Sequence, residues 1–398
     1  MKALIHNIGE ILSGDIGAPL LDGKAVLIEG GAIAAIGSRG EIEADHGEAG
    51  LVVDAGGTTL SPGLIDSHTH NVIGDYTPRQ KTVDFLESYT HGGVSRCISA
   101  SEVHAPGRPR DPAGVKALAL TAQRCFAHYR PGGMTVHAGS IILEPGLEPE
   151  DFQELASEGV WLAKAGFGDF PVPGECAPLV RAAQEAGYVV MCHTGGASIP
   201  SSSPVTADDL LAMMPDVSGH VNGGPTSMSD PDIERVLAEP GIALQIVQAG
   251  NLRSALRIVD ALAAGGELER LLIATDTPTG TGTMPLGMIK SVTELASLAE
   301  ITPEQAIAAA TGNVARVYRL PRAGTIAVGQ EADLMLLDAP LGSAAADARS
   351  AIARGDLPAI SCLFTDGQLR FTTSRNSPPP TREIKVTTSD ERAITHAS

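Results

Sequence analysis

Leu60-Ser61-Pro62-Gly63-Leu64-Ile65-Asp66-Ser67-His68-Thr69-His70 is an apolar run that ends in two histidines one residue apart. Side chains two residues apart on a strand point to the same side, so both imidazoles can reach one cation. A lone His-x-His also arises by chance, and its weight comes from what surrounds it. Downstream, apolar runs at 60–65, 94–99, 134–142, 160–165, 188–193, 217–220, 243–247 and 271–276 alternate with helical stretches. Eight strand–helix repeats predict a closed (β/α)8 barrel over residues 60–320. Upstream, residues 1–59 read as short strands at 3–8, 25–29, 32–36 and 51–54. Strand-like patterning returns at 324–328, 332–337, 359–365 and 369–373. Residues 1–59 and 321–373 are therefore expected to form one small β-sandwich, with the barrel inserted between its halves. Residues 374–398 are polar, contain a Pro run and are expected to be an extended tail.

Composition fits this plan. The chain has 398 residues, 43% hydrophobic but only 3% aromatic, so its core is aliphatic, as barrel interiors are. A net charge of −19 repels phosphate backbones and argues against nucleic acid as a partner. The five cysteines are scattered without a CxxC, which argues against a disulfide framework and fits a reducing compartment. The first residues lack an apolar signal-peptide core and no long uncharged apolar run occurs. A cytoplasmic protein without a membrane span is expected.

The remaining metal candidates lie at the ends of apolar runs: Lys164 on the fourth, His193 on the fifth, His220 on the sixth and Asp276 on the eighth. Barrel enzymes place catalytic groups at this end of their strands. One buried His is more often a packing residue, but three such strand ends with His and one with Asp are hard to explain as packing. Lys164 is a special case, since an ammonium repels cations. A desolvated Lys can lose its proton and react with CO2 to give an anionic carbamate that bridges two metals. The alternative is a Lys that reaches solvent or pairs with Asp169.

This set, His68, His70, Lys164, His193, His220 and Asp276, resembles the amidohydrolase superfamily. The flanking strings agree: Ser61-Pro62-Gly63-Leu64-Ile65-Asp66 before the histidines, and Gly329-Gln330-Glu331-Ala332-Asp333-Leu334 near the end. Within the superfamily the chain is similar to the enamidase branch, hydrolases of cyclic enamides. Segments 74–82, 106–109, 193–200, 220–226 and 276–282 carry that likeness. In that branch Glu occupies the bridging position near the fourth strand, where this chain has Lys164. A carbamate would restore the anionic bridge, as in dihydroorotase-like and hydantoinase-like relatives.

The resemblance and the site chemistry together imply two divalent metals, zinc first and iron or manganese as alternatives. They also imply water attack on the carbonyl of a cyclic amide, with Asp276 carrying a proton from the water to the leaving nitrogen. The partner is a small molecule, and the resemblance implies a homo-oligomer, a tetramer. Tyr76, Arg79 and Lys81 on the first β–α loop, with Arg108 and His104 on the second, are candidate substrate contacts. Their cations suit a substrate carboxylate, although pairing with Asp75 or Asp111 fits the sequence equally. His137 on the third strand is a candidate contact, a core residue or a support for a ligand. A linear amide, dipeptide or ester substrate stays open on the same centre. A mononuclear deaminase fits less well, because that group usually lacks the strand-4 Lys. A metal-free scaffold fits less well, because all six positions are filled.

Overall fold

The computed structural model describes residues 2–70, 82–102, 108–197, 203–224, 226–278 and 282–389. Eight parallel strand positions follow one another around a barrel: β1 (Leu64–Thr69), β2 (Val94–Ser99), β3 in two pieces (Thr135–His137 and Ser140–Ile142), β4 (Leu162–Ala165), β5 (Val189–His193), β6 (Val217–Gly219), β7 (Ala243–Val247) and β8 (Leu271–Ala274). Each pairs in parallel with its neighbours; β3 pairs with β2 through its first piece and with β4 through its second. The break falls at Gly139, at φ +96°, where a Cβ would meet the Ala119 carbonyl oxygen at 2.9 Å. The ring closes between the ends of β1 and β8. There the Asp276 N–H donates to the His68 carbonyl and the His70 N–H to the Thr277 carbonyl, both at 2.9 Å.

The strands alternate as their period demands. Ile65, Ile98, Leu162, Val189, Met191, Val217 and Leu272 pack into the barrel over Tyr318 and Trp161. Cys97, Val190, Leu244 and Ile273 face the surrounding helices. Asp111, Thr206, Ser229 and Asn251 each accept a backbone N–H of the helix they precede, which fixes where those helices start.

Two sheets form the second layer. One runs in the order Lys385–Thr388, Leu51–Asp54, Lys2–His6, Ala25–Glu29 and Ala32–Gly37; the other runs Gln368–Phe371, Ala359–Thr365, Leu334–Asp338, Thr59–Pro62, Glu10–Leu12 and Leu20–Leu21. Their shared core draws Ile5, Ile11, Val26 and Leu60 from one end of the chain and Leu334, Leu336 and Phe364 from the other. At the junction with the barrel, the buried Arg96 donates through Nε to Asp333 at 2.9 Å and also pairs with Glu331.

Several boundaries differ from the sequence expectation. The run 60–65 is two strands, because the chain leaves the sandwich after Thr59–Pro62 and enters the barrel at Leu64. It turns at Gly63, whose Cβ would lie 2.6 Å from that of Ser95. Segment 324–328 carries no strand; Ile326 is buried and its N–H donates to the Ser13 carbonyl at 2.7 Å. The short strands Glu10–Leu12 and Leu20–Leu21 lack a long alternating run and were not foreseen. Part of the expected tail is sheet: Lys385–Thr388 pairs antiparallel with Leu51–Asp54. Among the described residues no helix is long and apolar enough to cross a membrane.

Candidate metal centre

Six side chains from five strand ends converge at the barrel mouth. His68, His70, Lys164, His193 and His220 are buried, whereas Asp276 keeps 14% of its side-chain surface and faces the opening. The nitrogens of His68 and His70 and an oxygen of Asp276 lie within 4.8 Å of one another. Asp276 Oδ1 is 3.0 Å from His70 Nε2 and 3.4 Å from His68 Nε2. His193 Nδ1 is 2.8 Å from His220 Nε2, and the His68 and His220 ring centres are 5.2 Å apart. Lys164 Nζ lies 3.3 Å from Met191 Sδ. Two residues of the set, His220 at φ 43° and Asp276 at φ 61°, adopt the left-handed backbone that side chains disfavour. Such strain persists where the surrounding structure fixes a side-chain direction.

Neighbours orient the imidazoles. Gln245, in the middle of β7, spends its amide N–H groups on Ser67 Oγ at 2.8 Å and the Ser67 carbonyl at 3.3 Å. Its Oε1 then accepts from His68 Nδ1 at 2.6 Å, which leaves the Nε2 lone pair facing Asp276. His193 donates through Nε2 to the Gly196 carbonyl at 3.0 Å and turns Nδ1 on His220. Asp66 accepts the N–H groups of His68 and Thr275, both at 3.1 Å, and so ties β1 to β8 beneath the site. Replacing Gln245 by Leu is expected to weaken metal binding about 10–100-fold, as loss of a ligand's orienting partner does. Titration of the metal-stripped protein with Zn2+ reads it, and unchanged affinity removes Gln245 from this role.

The electrostatics suit cations. Burial, followed by the charge of Lys164, holds His68 well below the usual imidazole range; burial, His220 and Lys164 do the same for His193. Burial brings His220 down to about 4. These rings are neutral near pH 7 and present lone pairs. Burial pushes Asp276 up, but the histidines around it outweigh this and keep the carboxyl well below its ordinary value. The two facing ring nitrogens of His193 and His220, and a buried His220 Nδ1 without a partner among the described residues, complete a donor set that fits divalent metal.

Of the candidate substrate contacts, Tyr76, Arg79, Lys81 and His104 lie outside the described residues. Arg108 is paired with the buried Glu144. Three further buried acids near the strand ends escaped sequence reading: Asp66, Glu144, and Glu102 just past β2. Glu102 accepts the Gly139 and Ser140 N–H groups, and burial raises it to about 8. An acidic residue within three positions of the end of an apolar run was the available signal.

His137 sits edge-on to Trp161, with ring centres 5.5 Å apart. Burial, with Arg96 and Arg130 acting in the same direction, lowers it from 6.5 to about 3. Between those values the unfolded chain holds a proton that the folded chain lacks. Stability therefore falls as pH drops below 6.5, by about 1.4 kcal/mol per unit. His137→Gln is expected to lose about 2 kcal/mol less than the parent between pH 7.5 and pH 5 in urea unfolding. An identical acid loss in both proteins would contradict this.

The chain is similar to several known proteins. Residues 224–371 match the model of the amidohydrolase family. The enamidase of Eubacterium barkeri is 48% identical over 386 residues, covering 97% of this chain and 99% of the relative. The imidazolonepropionase of Salinispora tropica is 27% identical over 389 residues, covering 85% and 92%. The crystal structure of enamidase at 1.9 Å superposes with a TM-score of 0.92 at 47% identity, covering 97% of this chain and all of that one. The D-hydantoinase of a Thermus species shares the fold, with a TM-score of 0.65 at 18% identity, covering 95% of this chain and 96% of that one. With near-half identity along almost its whole length, the chain belongs to the amidohydrolase family.

Proposed function

We propose that this protein is a binuclear metal-dependent hydrolase that opens a cyclic amide, an enamide or lactam, at its C–N bond. The observation that carries this reading is the His68, His70 and Asp276 cluster at the mouth of a barrel nearly half identical to an enamidase. His68, His70, His193, His220 and Asp276 would hold the ions, with Lys164 between them. Divalent ions held there supply charge at the scissile carbonyl and lower the pKa of a water.

The residues do the rest. Asp276, the most open member of the set, takes a proton from the attacking water and delivers it to the leaving ring nitrogen. Burial brings the Lys164 amine down to about 8, so a usable fraction is neutral near pH 7. That amine adds to CO2, a proton leaves to solvent, and the resulting carbamate contributes two oxygens on one anion. Zinc is the expected metal, with iron or manganese as alternatives. The protein is a cytoplasmic homo-oligomer, a tetramer, in this reading, and its partner is a small molecule, with a substrate carboxylate on Arg79 or Lys81.

Elemental analysis is expected to find about two divalent ions per chain. Hydrolysis should favour lactams and cyclic enamides over N-acyl amino acids and esters. Protein that binds no metal, or that cleaves only acyclic substrates, defeats the proposal.

A further inference from the structure

The loops that follow β2, β3 and β4 meet at one buried ion pair. Glu144, two residues past β3, is fully buried, and the Arg108 guanidinium lies against it from the β2 loop. Arg108 Nη1 donates to Glu144 Oε1, and Nη2 donates to the Phe167 carbonyl. The second Glu144 oxygen accepts the Asp169 N–H at 2.7 Å. Between Phe167 and Asp169, Gly168 is pressed onto the end of β3; a Cβ there would lie 2.1 Å from the Leu143 carbonyl oxygen. The loop held in this way carries Phe167 into the metal centre. Its ring centre is 4.5 Å from that of His193, and Lys164 Nζ is 5.9 Å from its centroid. Phe167 and Phe170 line a cavity of ≈ 150 Å3 on the same loop.

A guanidinium matched to a buried carboxylate is charge-balanced in place, and drawing it onto a substrate anion would leave Glu144 uncompensated. We propose that Arg108 and Glu144 are positioning residues. Together they buckle three mouth loops and hold Phe167 as an apolar wall beside His193 and Lys164. A wall of this kind takes the uncharged, flat side of a ring substrate and turns any carboxylate towards another part of the mouth. The activity arm of this inference rests on the cyclic-amide reading, whereas its exchange arm does not.

The test uses the metal-loaded full chain and the variants Arg108→Lys and Glu144→Gln. Arg110→Ala serves as control, since its contact with Asp169 is at the surface. Hydrogen–deuterium exchange of residues 166–171 is expected to quicken about tenfold or more in both variants, as loss of a charge-assisted bond predicts. It should be unchanged in the control. On 2-piperidone and on a piperidone bearing a ring carboxylate, kcat/KM is expected to fall by the same factor, about 10- to 100-fold. If Glu144→Gln does not fold, Arg108→Lys, which keeps the charge, reads both quantities. Unchanged exchange in Arg108→Lys overturns the proposal. So does a loss confined to the carboxylate substrate through KM alone, which would make Arg108 its anchor. If the parent opens neither ring, the cyclic-amide reading fails and exchange alone decides the buckle.

Discussion

Exchanging Asp276 for Asn is expected to lower kcat/KM by about 10²–10⁴-fold, the range associated with loss of a general acid–base group. The amide keeps the carboxylate's shape and an oxygen for the His70 contact now at 3.0 Å. It loses the capacity to accept a proton and hand it on. Asp276 is also a candidate ligand, so metal content must be measured on the same samples. Retained metal with lost turnover isolates the proton-transfer role. Turnover equal to the parent's would exclude Asp276 from the reaction.

Lys164→Ala carries the second large effect. The side chain is fully buried, and the described contacts of its Nζ are a thioether sulfur and an aromatic ring. Such surroundings do not favour an ammonium, so removing it is not expected to unfold the protein by loss of a salt bridge. What should go is metal. Content is expected to fall from about two ions per chain towards one, with at least about 100-fold weaker binding at the vacated position. Acetate, a short carboxylate, should restore part of the activity. 13C-bicarbonate added to the parent should give a carbamate carbon signal that Lys164→Ala lacks. Full metal and full activity in Lys164→Ala would end the bridging proposal.

The barrel was legible because its signal is repeated and local. Most strand runs are mainly apolar, and the candidate ligands stand at the same end of the runs that carry them. The sandwich was legible in outline but not in register, since strands of two to four residues, such as Leu20–Leu21 and Thr59–Pro62, are too short to show a period. Lys385–Thr388 was hidden for another reason. It is an edge strand with only its alternate residues partly covered, and composition alone reads such a stretch as tail. Gln245 was visible as a polar residue in a buried run and had to have a partner, but nothing local names Ser67 or His68. Arg108 shows the same limit from the other side. Its charge suggested a substrate, and only the three-dimensional approach of Glu144, 36 residues away, shows where that charge is already matched.

Both sheets of the sandwich are built from the two ends of the chain, and this gives the molecule an order of assembly. During synthesis, Thr59–Pro62, flanked on one side by Glu10–Leu12, emerges long before Leu334–Asp338, its neighbour on the other side. Its outer edge waits unpaired while all eight barrel strands are made. The barrel's contacts run mostly between successive elements, so it can close first. The last strands then act as a clasp, and the nascent chain depends longest on protection at its own beginning.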